Sequence, residues 1–395
     1  MAKRALTTLI AGSLLLALGV AAPASADEYP SWDDVLAARN DQAATEAAIA
    51  QIEDLLVGLE AKSEELGRAA QIKTEEYNAA VENLAVASTK AERLDVQAQD
   101  AEHRADLSSR RAGQLIAQVA RTGGGSVSLG LLLSPNASDL LSTLGSMSKL
   151  TEQSTLIYRQ ATLDQNQAKA LTDQARIAEA ERKTLKGEAE TALAAAKAAS
   201  DAAAARVAEQ QAASAQMYEQ LATLKDTTAE VEADYAEGLT QEQEQAAQPP
   251  PPSAPPPPGP APAAPNQSAV AGALAFAYAQ IGDMYLFGGA GPDRWDCSGL
   301  TKGAYASVGV YIGGHVVSSQ YYTMQNAGRL VPIGQMVPGD LIFYASGGYV
   351  GGGFYHVAMY VGNGQMIEAP REGIPVRVTA VRYYDALPYA GRPTG

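Results

Sequence analysis

The spacing of apolar residues divides this chain into stretches of different period. The first is a mostly apolar run from Leu6 to Ala22, preceded by Lys3 and Arg4 and followed by Ala24-Ser25-Ala26. It is shorter than the roughly 20 residues that span a bilayer, and it ends in a small-x-small triplet. Residues 1–26 are therefore expected to be a signal peptide, cleaved on export. Behind them the pattern turns helical. Between residues 30 and 120 no proline follows Pro30, and Ile49, Ile52, Leu56, Leu59 and Leu66 step by three, four, three and seven. That is the a/d rhythm of a coiled coil. A second helical stretch is expected from about Ser148 to Gln245. Leu156, Leu163, Ala170 and Ile177 recur there every seven residues as its seam, with an alanine-rich seam further on.

Between the two, residues 121–150 interrupt the period with Gly123-Gly124-Gly125 and Pro135. Helix, break and helix predict an antiparallel coiled-coil hairpin over residues 27–245 with its tip at about 121–150. Each arm of ~90 residues would reach ~135 Å if continuous. The short leucine patches of the tip either dock a protein or fold back on themselves. Residues 246–265, dominated by proline and alanine, read as an extended, semi-rigid linker.

After the linker the period shortens. "LIFYA" (341–345), "HVAMYVG" (356–362), "QMIEA" (365–369) and "VRVTAV" (376–381) alternate with turns and read as strands. Helices are expected before them, at 268–282 and from Cys297 onward. Helices followed by an antiparallel sheet make residues 266–395 an α+β domain. The expected fold class is thus α+β, a compact C-terminal domain behind a long α-helical coiled-coil hairpin.

Charge and composition sharpen this division. The chain of 395 residues has a net charge of −15. From Asn266 onward seven basic and seven acidic residues balance, whereas the stretch between the signal and Asn266 carries 20 against 37. Thirteen of the 18 tyrosines lie after residue 265. An acidic chain without a basic footprint argues against nucleic acid as a partner. One cysteine in an exported chain forms no internal disulfide, so packing must hold the fold.

A lone cysteine is ordinarily a core filler. Cys297, however, is expected at the start of a helix, where the dipole and free N–H groups favour the thiolate. Asp296 and Ser298 beside it are candidate caps. A cysteine nucleophile calls for a histidine base. His103 falls in the coiled coil, His315 in a loop behind two glycines, and His356 at the start of a strand, so His356 is the expected base. Glu368, twelve residues on, would fix the imidazole's tautomer and orientation. A three-residue loop Gly362-Asn363-Gly364 with Gly364 left-handed is expected, which puts Glu368 on the sheet face of His356. A two-residue Asn363-Gly364 turn would aim it away. No cysteine pair, H-E-x-x-H or Asp-rich loop points to a metal, and no cofactor is expected.

"YLFGGAGPDRWDCSGL", "PGDLIFY", "HVAMYVGNGQMIEAP" and "YYDALPYAGRP" closely resemble the NlpC/p60 cysteine peptidases, over about residues 285–393. The resemblance implies a papain-like domain that cuts bacterial cell-wall peptides, typically between D-glutamate and diaminopimelate, outside the cytoplasm. It implies Cys297 as nucleophile, His356 as base and Glu368 in the third position, which is often histidine in the family. Tyr285 and the backbone N–H near Cys297 would support the oxyanion, and Asp296 and Ser298 would line the substrate groove. Many members carry proline and arginine where this chain has "IGGHV". Exported coiled coil, broken tip, proline linker and peptidase together resemble the RipC-type actinobacterial hydrolases and the related PcsB group. In those the coiled coil binds the membrane complex FtsEX and keeps the peptidase inactive until signalled. An amidase acting at the sugar–peptide junction and a non-catalytic wall-binding scaffold are the alternatives. A linker of about twenty residues would let the arms fold back over the groove, so autoinhibition is expected.

Overall fold

The computed structural model describes residues 31–39, 41–121, 137–246 and 263–395. The expected signal peptide, the centre of the tip and most of the linker lie outside the described residues. The chain forms two compact units, Met1–Lys62 with Glu209–Leu239, and Ser63–Ala208 with Thr240–Gly395.

The first unit combines a short helix α1 (Trp32–Ala38) with parts of three others. These are the start of α2 (Gln42–Arg121), the end of α3 (Ala137–Lys225) and most of α4 (Ala229–Ala246). Ser31 and Asp34 form a capping box that starts α1. Val35, Ile52, Leu59, Met217 and Leu221 are buried together, with Ile49 and Leu56 against them. The apolar rhythm seen at Ile49–Leu59 therefore closes a local core.

In the second unit α2 and α3 run antiparallel. Lys90, Glu102 and Ser109 bond Glu181, Thr172 and Gln165, in reverse order along the partner helix. Their seam is built of alanine: Ala101, Ala105 and Ala168 cluster with Leu171. The seam expected at Leu156, Leu163 and Ile177 is wrong for this pair, because those side chains are 58%, 63% and 64% exposed. A seven-residue recurrence names a helix face without saying which face meets the partner. The small alanines win here because they let the two backbones approach. Helix α3 also starts at Ala137, well before the expected Ser148.

The C-terminal part packs three helices on a sheet. They are α5 (Gln267–Ala279), whose cap is Asn266, α6 (Cys297–Ala306) and α7 (Val317–Asn326). The strands are β1 (Leu330–Pro332), β2 (Leu341–Ala345), β3 (Phe354–Gly362), β4 (Gln365–Glu368), β5 (Arg377–Ala380) and β6 (Tyr389–Gly391). Their order is β1-β6-β2-β3-β4-β5, antiparallel throughout. Leu300, Tyr305, Met324, Leu341, Phe343, Val357 and Met359 fill one core, and Ile342, Tyr344, Tyr355, Ala358 and Met366 fill another. All five positions of β2 are buried. Burial on both faces explains why "LIFYA" is an unbroken apolar run. The short strands β1 and β6 and the polar helix α7 carry no comparable period and were not expected.

The β3–β4 turn departs from expectation. Asn363 and Gly364 form a two-residue turn, with φ of 54° and 70°, closed by the Gly362–Gln365 pair. That alone would turn Glu368 away from His356. A bulge between Tyr360 and Gly362 inserts Val361 without a partner, shifting the register back. Glu368 then returns to the face of His356. The loop type was misjudged, but the face was not.

Candidate functional site

Helix α6 begins at Cys297 because Asp296 caps it, its Oδ1 accepting from the Gly299 N–H at 2.6 Å. Gly299 has to be small, since a side chain there would collide with the Gly289 carbonyl and the His315 ring. Cys297 is a free thiol, 2% exposed. The backbone N–H groups of Val357 and Ser298 donate to its sulfur, which places it beside β3 at the residue after His356. Burial and the nearby Glu75 and Asp296 carboxyls push the thiol well above its usual range, outweighing those N–H groups. The expected thiolate is therefore not the resting form in this arrangement.

His356 and Glu368 are both fully buried, and His356 Nε2 lies 2.8 Å from Glu368 Oε2. Burial raises the Glu368 carboxyl, but Arg382 and His356 outweigh it and hold the group well below the usual carboxylate range. Since a carboxylate only accepts, His356 Nε2 carries the proton and Nδ1 keeps the lone pair. Burial lowers the imidazole below its ordinary value against the opposing pull of Glu368, and Arg382 and Arg377 add to the lowering.

The lone pair of Nδ1 is occupied. Gln71 of α2 donates through Nε2 to His356 Nδ1 at 3.3 Å and also to the Pro370 carbonyl. One helix face continues this pattern. Thr74 bonds the Tyr285 hydroxyl, and Asn78 Nδ2 donates to Asp296 Oδ2 at 3.3 Å. Glu75 Oε2 accepts from the Val317 N–H at 2.6 Å. Glu82 Oε1 accepts from Ser319 Oγ at 3.0 Å. Ser298 Oγ lies 3.1 Å from Glu75 Oε1 and 3.3 Å from Asp296 Oδ1. A hydroxyl has one proton for these two oxygens, so a second proton is required. Glu75 can supply it, because burial and Asp296 push its carboxyl up to about 8.

The site residues read from the sequence are thus brought together. Cys297, His356, Glu368, Asp296 and Ser298 meet where α6, β3 and β4 converge. Tyr285 is buried nearby, its hydroxyl pushed well above the usual range by burial, Asp296 and Cys297. His315, set aside as a base, lies against Asp296 instead, with Nε2 2.7 Å from Oδ1.

Sequence reasoning missed Gln71, Thr74, Glu75 and Asn78. Their signal was a helix that keeps three-and-four spacing while the seam positions turn polar. It also missed Arg382, which had no signal at all.

The NlpC/P60 family profile matches residues 282–388. The chain is similar to the peptidoglycan endopeptidase RipA of Mycolicibacterium smegmatis, 41% identical over 139 residues, which are 32% of this chain and 26% of RipA. The RipA of Mycobacterium tuberculosis is 42% identical over 127 residues, 29% of this chain and 25% of that protein. The peptidoglycan endopeptidase RipB of the same species is 38% identical over 139 residues, 32% of this chain and 54% of that protein. The chain thus spans about a quarter of the length of the RipA proteins. Residues 282–388 of this chain are a domain of the NlpC/P60 family.

Proposed function

We propose that the protein is a cell-wall hydrolase acting outside the cytoplasm, a D,L-endopeptidase that cuts peptidoglycan stem peptides between D-glutamate and diaminopimelate. The observation that carries this reading is the order of contacts along one line. The only thiol stands at a helix N-terminus beside the residue that follows His356, and His356 is bound through Nε2 to Glu368, leaving Nδ1 as the basic nitrogen. In the proposed reaction Nδ1 takes the Cys297 proton as Sγ adds to the amide carbon. Tyr285 and the backbone N–H near Cys297 support the oxyanion. The same proton passes to the leaving amine, the C–N bond breaks and a thioester forms. Water, deprotonated by His356, then releases the carboxylate and the free thiol. A neutral thiol and a neutral imidazole suit general-base attack better than a standing ion pair.

The arrangement described is the latent form of the enzyme. Gln71 sits on the nitrogen that must accept the proton, and Thr74, Glu75 and Asn78 fill the polar groups a substrate would use. Release of α2 from the groove is the activating step. An extracytoplasmic part of a membrane complex such as FtsEX, acting at the tip, is the proposed trigger during cell separation. The test is digestion of diaminopimelate-containing muropeptides by the full chain, by its Gln71→Ala/Asn78→Ala variant and by that variant with Cys297→Ala, read by mass spectrometry. The expected product is a free diaminopimelate amine, formed faster by the opened variant and absent without Cys297. Release of an intact stem from the sugar would show an amidase instead, and no product from any form would show a scaffold.

A further inference from the structure

Glu368 is held from two sides. His356 Nε2 lies 2.8 Å from Oε2, while Arg382 contacts both oxygens, Nη1 at 3.0 Å from Oε1 and Nη2 at 2.7 Å from Oε2. The Arg382 guanidinium also stacks 5.3 Å from the centre of the Tyr344 ring, which lies 5.4 Å from the His356 ring. Tyr344 is fixed in turn by its hydroxyl, 3.0 Å from Met366 Sδ. Histidine, glutamate, arginine and tyrosine therefore close a ring of contacts. Arg377 also reaches Oε1 at 3.2 Å, but it is 42% exposed where Arg382 is 19%.

We propose that Arg382 is a positioning residue for the Glu368–His356 pair, acting as a fork that offers the imidazole one carboxylate oxygen in one orientation. The need follows from the side chain in the third position. A glutamate has one more rotatable bond than an aspartate, and a single bond to His356 would leave it free to swing. A bidentate guanidinium removes that freedom, because its two parallel N–H groups accept only one carboxylate plane. The arrangement has a cost. The guanidinium charge opposes the imidazolium that forms when His356 takes a proton, so orientation is gained at the expense of basicity. Lysine would keep the charge without the fork, and glutamine would keep neither.

The kinetic arm of the test rests on the hydrolase reading above. It uses the full chain carrying Gln71→Ala, with diaminopimelate-type peptidoglycan as substrate. Arg382→Gln should lower kcat on the order of 100-fold with KM little changed, the loss expected for a misplaced catalytic group. It should also move the acid limb of kcat/KM to higher pH, since the charge opposing the imidazolium is gone. Arg382→Lys should leave the limb in place while recovering only part of kcat. Arg382→Gln added to Glu368→Ala should cost nothing further. A second arm needs no activity. The chain has three histidines, so long-range 1H–15N spectra of the 15N-histidine-labelled wild-type chain can resolve each. His356 should show one tautomer, protonated at Nε2, and Arg382→Gln should raise its pKa and mix the tautomers.

Unchanged spectra and an unmoved limb in Arg382→Gln would overturn the assignment, as would losses for Arg382→Gln and Glu368→Ala that multiply. Should Arg382→Gln fail to fold, Arg382→Lys decides: mixed tautomers at an unaltered pKa support the fork, and a wild-type spectrum overturns it. If no variant hydrolyses anything, the hydrolase reading fails while the spectra still settle Arg382.

Discussion

One amide nitrogen, Gln71 Nε2, stands on the lone pair that His356 would use. Removing it should be felt at the sulfur next to that base. Gln71→Ala is expected to raise the rate of Cys297 alkylation by iodoacetamide at pH 7.5 about tenfold, the effect of one unit in thiol pKa, with labelling specific because the chain has one cysteine. An unchanged rate would mean that the amide does not shield the pair. The grouping of Cys297, His356 and Glu368 was legible in the sequence because few residue types suit a nucleophile, its base and an orienting acceptor, and the chain offers one thiol and three imidazoles. Gln71, Glu75 and Asn78 could not. Glutamine, glutamate and asparagine on a helix read as ordinary solvated positions until a partner surface is known. Arg382 was hidden for a similar reason, since an arginine in a polar loop announces no geometry.

Elements show where periodicity informs and where it misleads. Strands β2 to β4 were read nearly to their ends because burial imposes their composition, and the half-buried β5 was read from its alternation. The β3–β4 turn was not, because a bulge leaves no mark in a run such as "AMYVGNG". Deleting Val361 should remove that bulge while leaving Gly362 opposite Gln365 and Tyr360 opposite Met366, so Glu368 stays on the His356 face. The expected result is a folded sheet that still hydrolyses, measured on the Gln71→Ala chain; a fall to the level of Glu368→Ala would refute the register account. The coiled coil gives the opposite lesson. Leu163→Gln and Ile177→Gln should each change stability by no more than about 0.5 kcal/mol in urea unfolding, as exposed positions do, despite their seven-residue spacing. A loss of several kcal/mol would restore those residues to a seam.

For the molecule as a whole, closing the groove is linked to pH through Glu75, which faces Asp296, Ser298, Asn78 and the Val317 N–H, with His315 on the far side of Asp296. Its carboxyl is raised from an ordinary 4.5 to about 8 when covered. The covered form therefore binds a proton that the open form releases. Its stability is fully present below about 4.5, falls as pH rises and is lost by about 8, at up to ~1.4 kcal/mol per pH unit. Hydrolysis by the full chain should climb across that window relative to the Gln71→Ala/Asn78→Ala variant. Glu75→Gln should flatten the ratio, and an identical slope in both would refute the linkage. The two faces that meet are largely polar, with Ile72 and the Tyr77–Phe287 ring pair among the apolar contacts. Arg68 reaches Asp385 at 3.1 Å, Arg371 donates to Ser63, and Ser200 donates to Glu372. Parted, they leave little grease to be hidden, so neither half need clump, unfold or be cut away. A catch made of such surfaces can be opened by a pull and can shut again, and one molecule can serve many rounds.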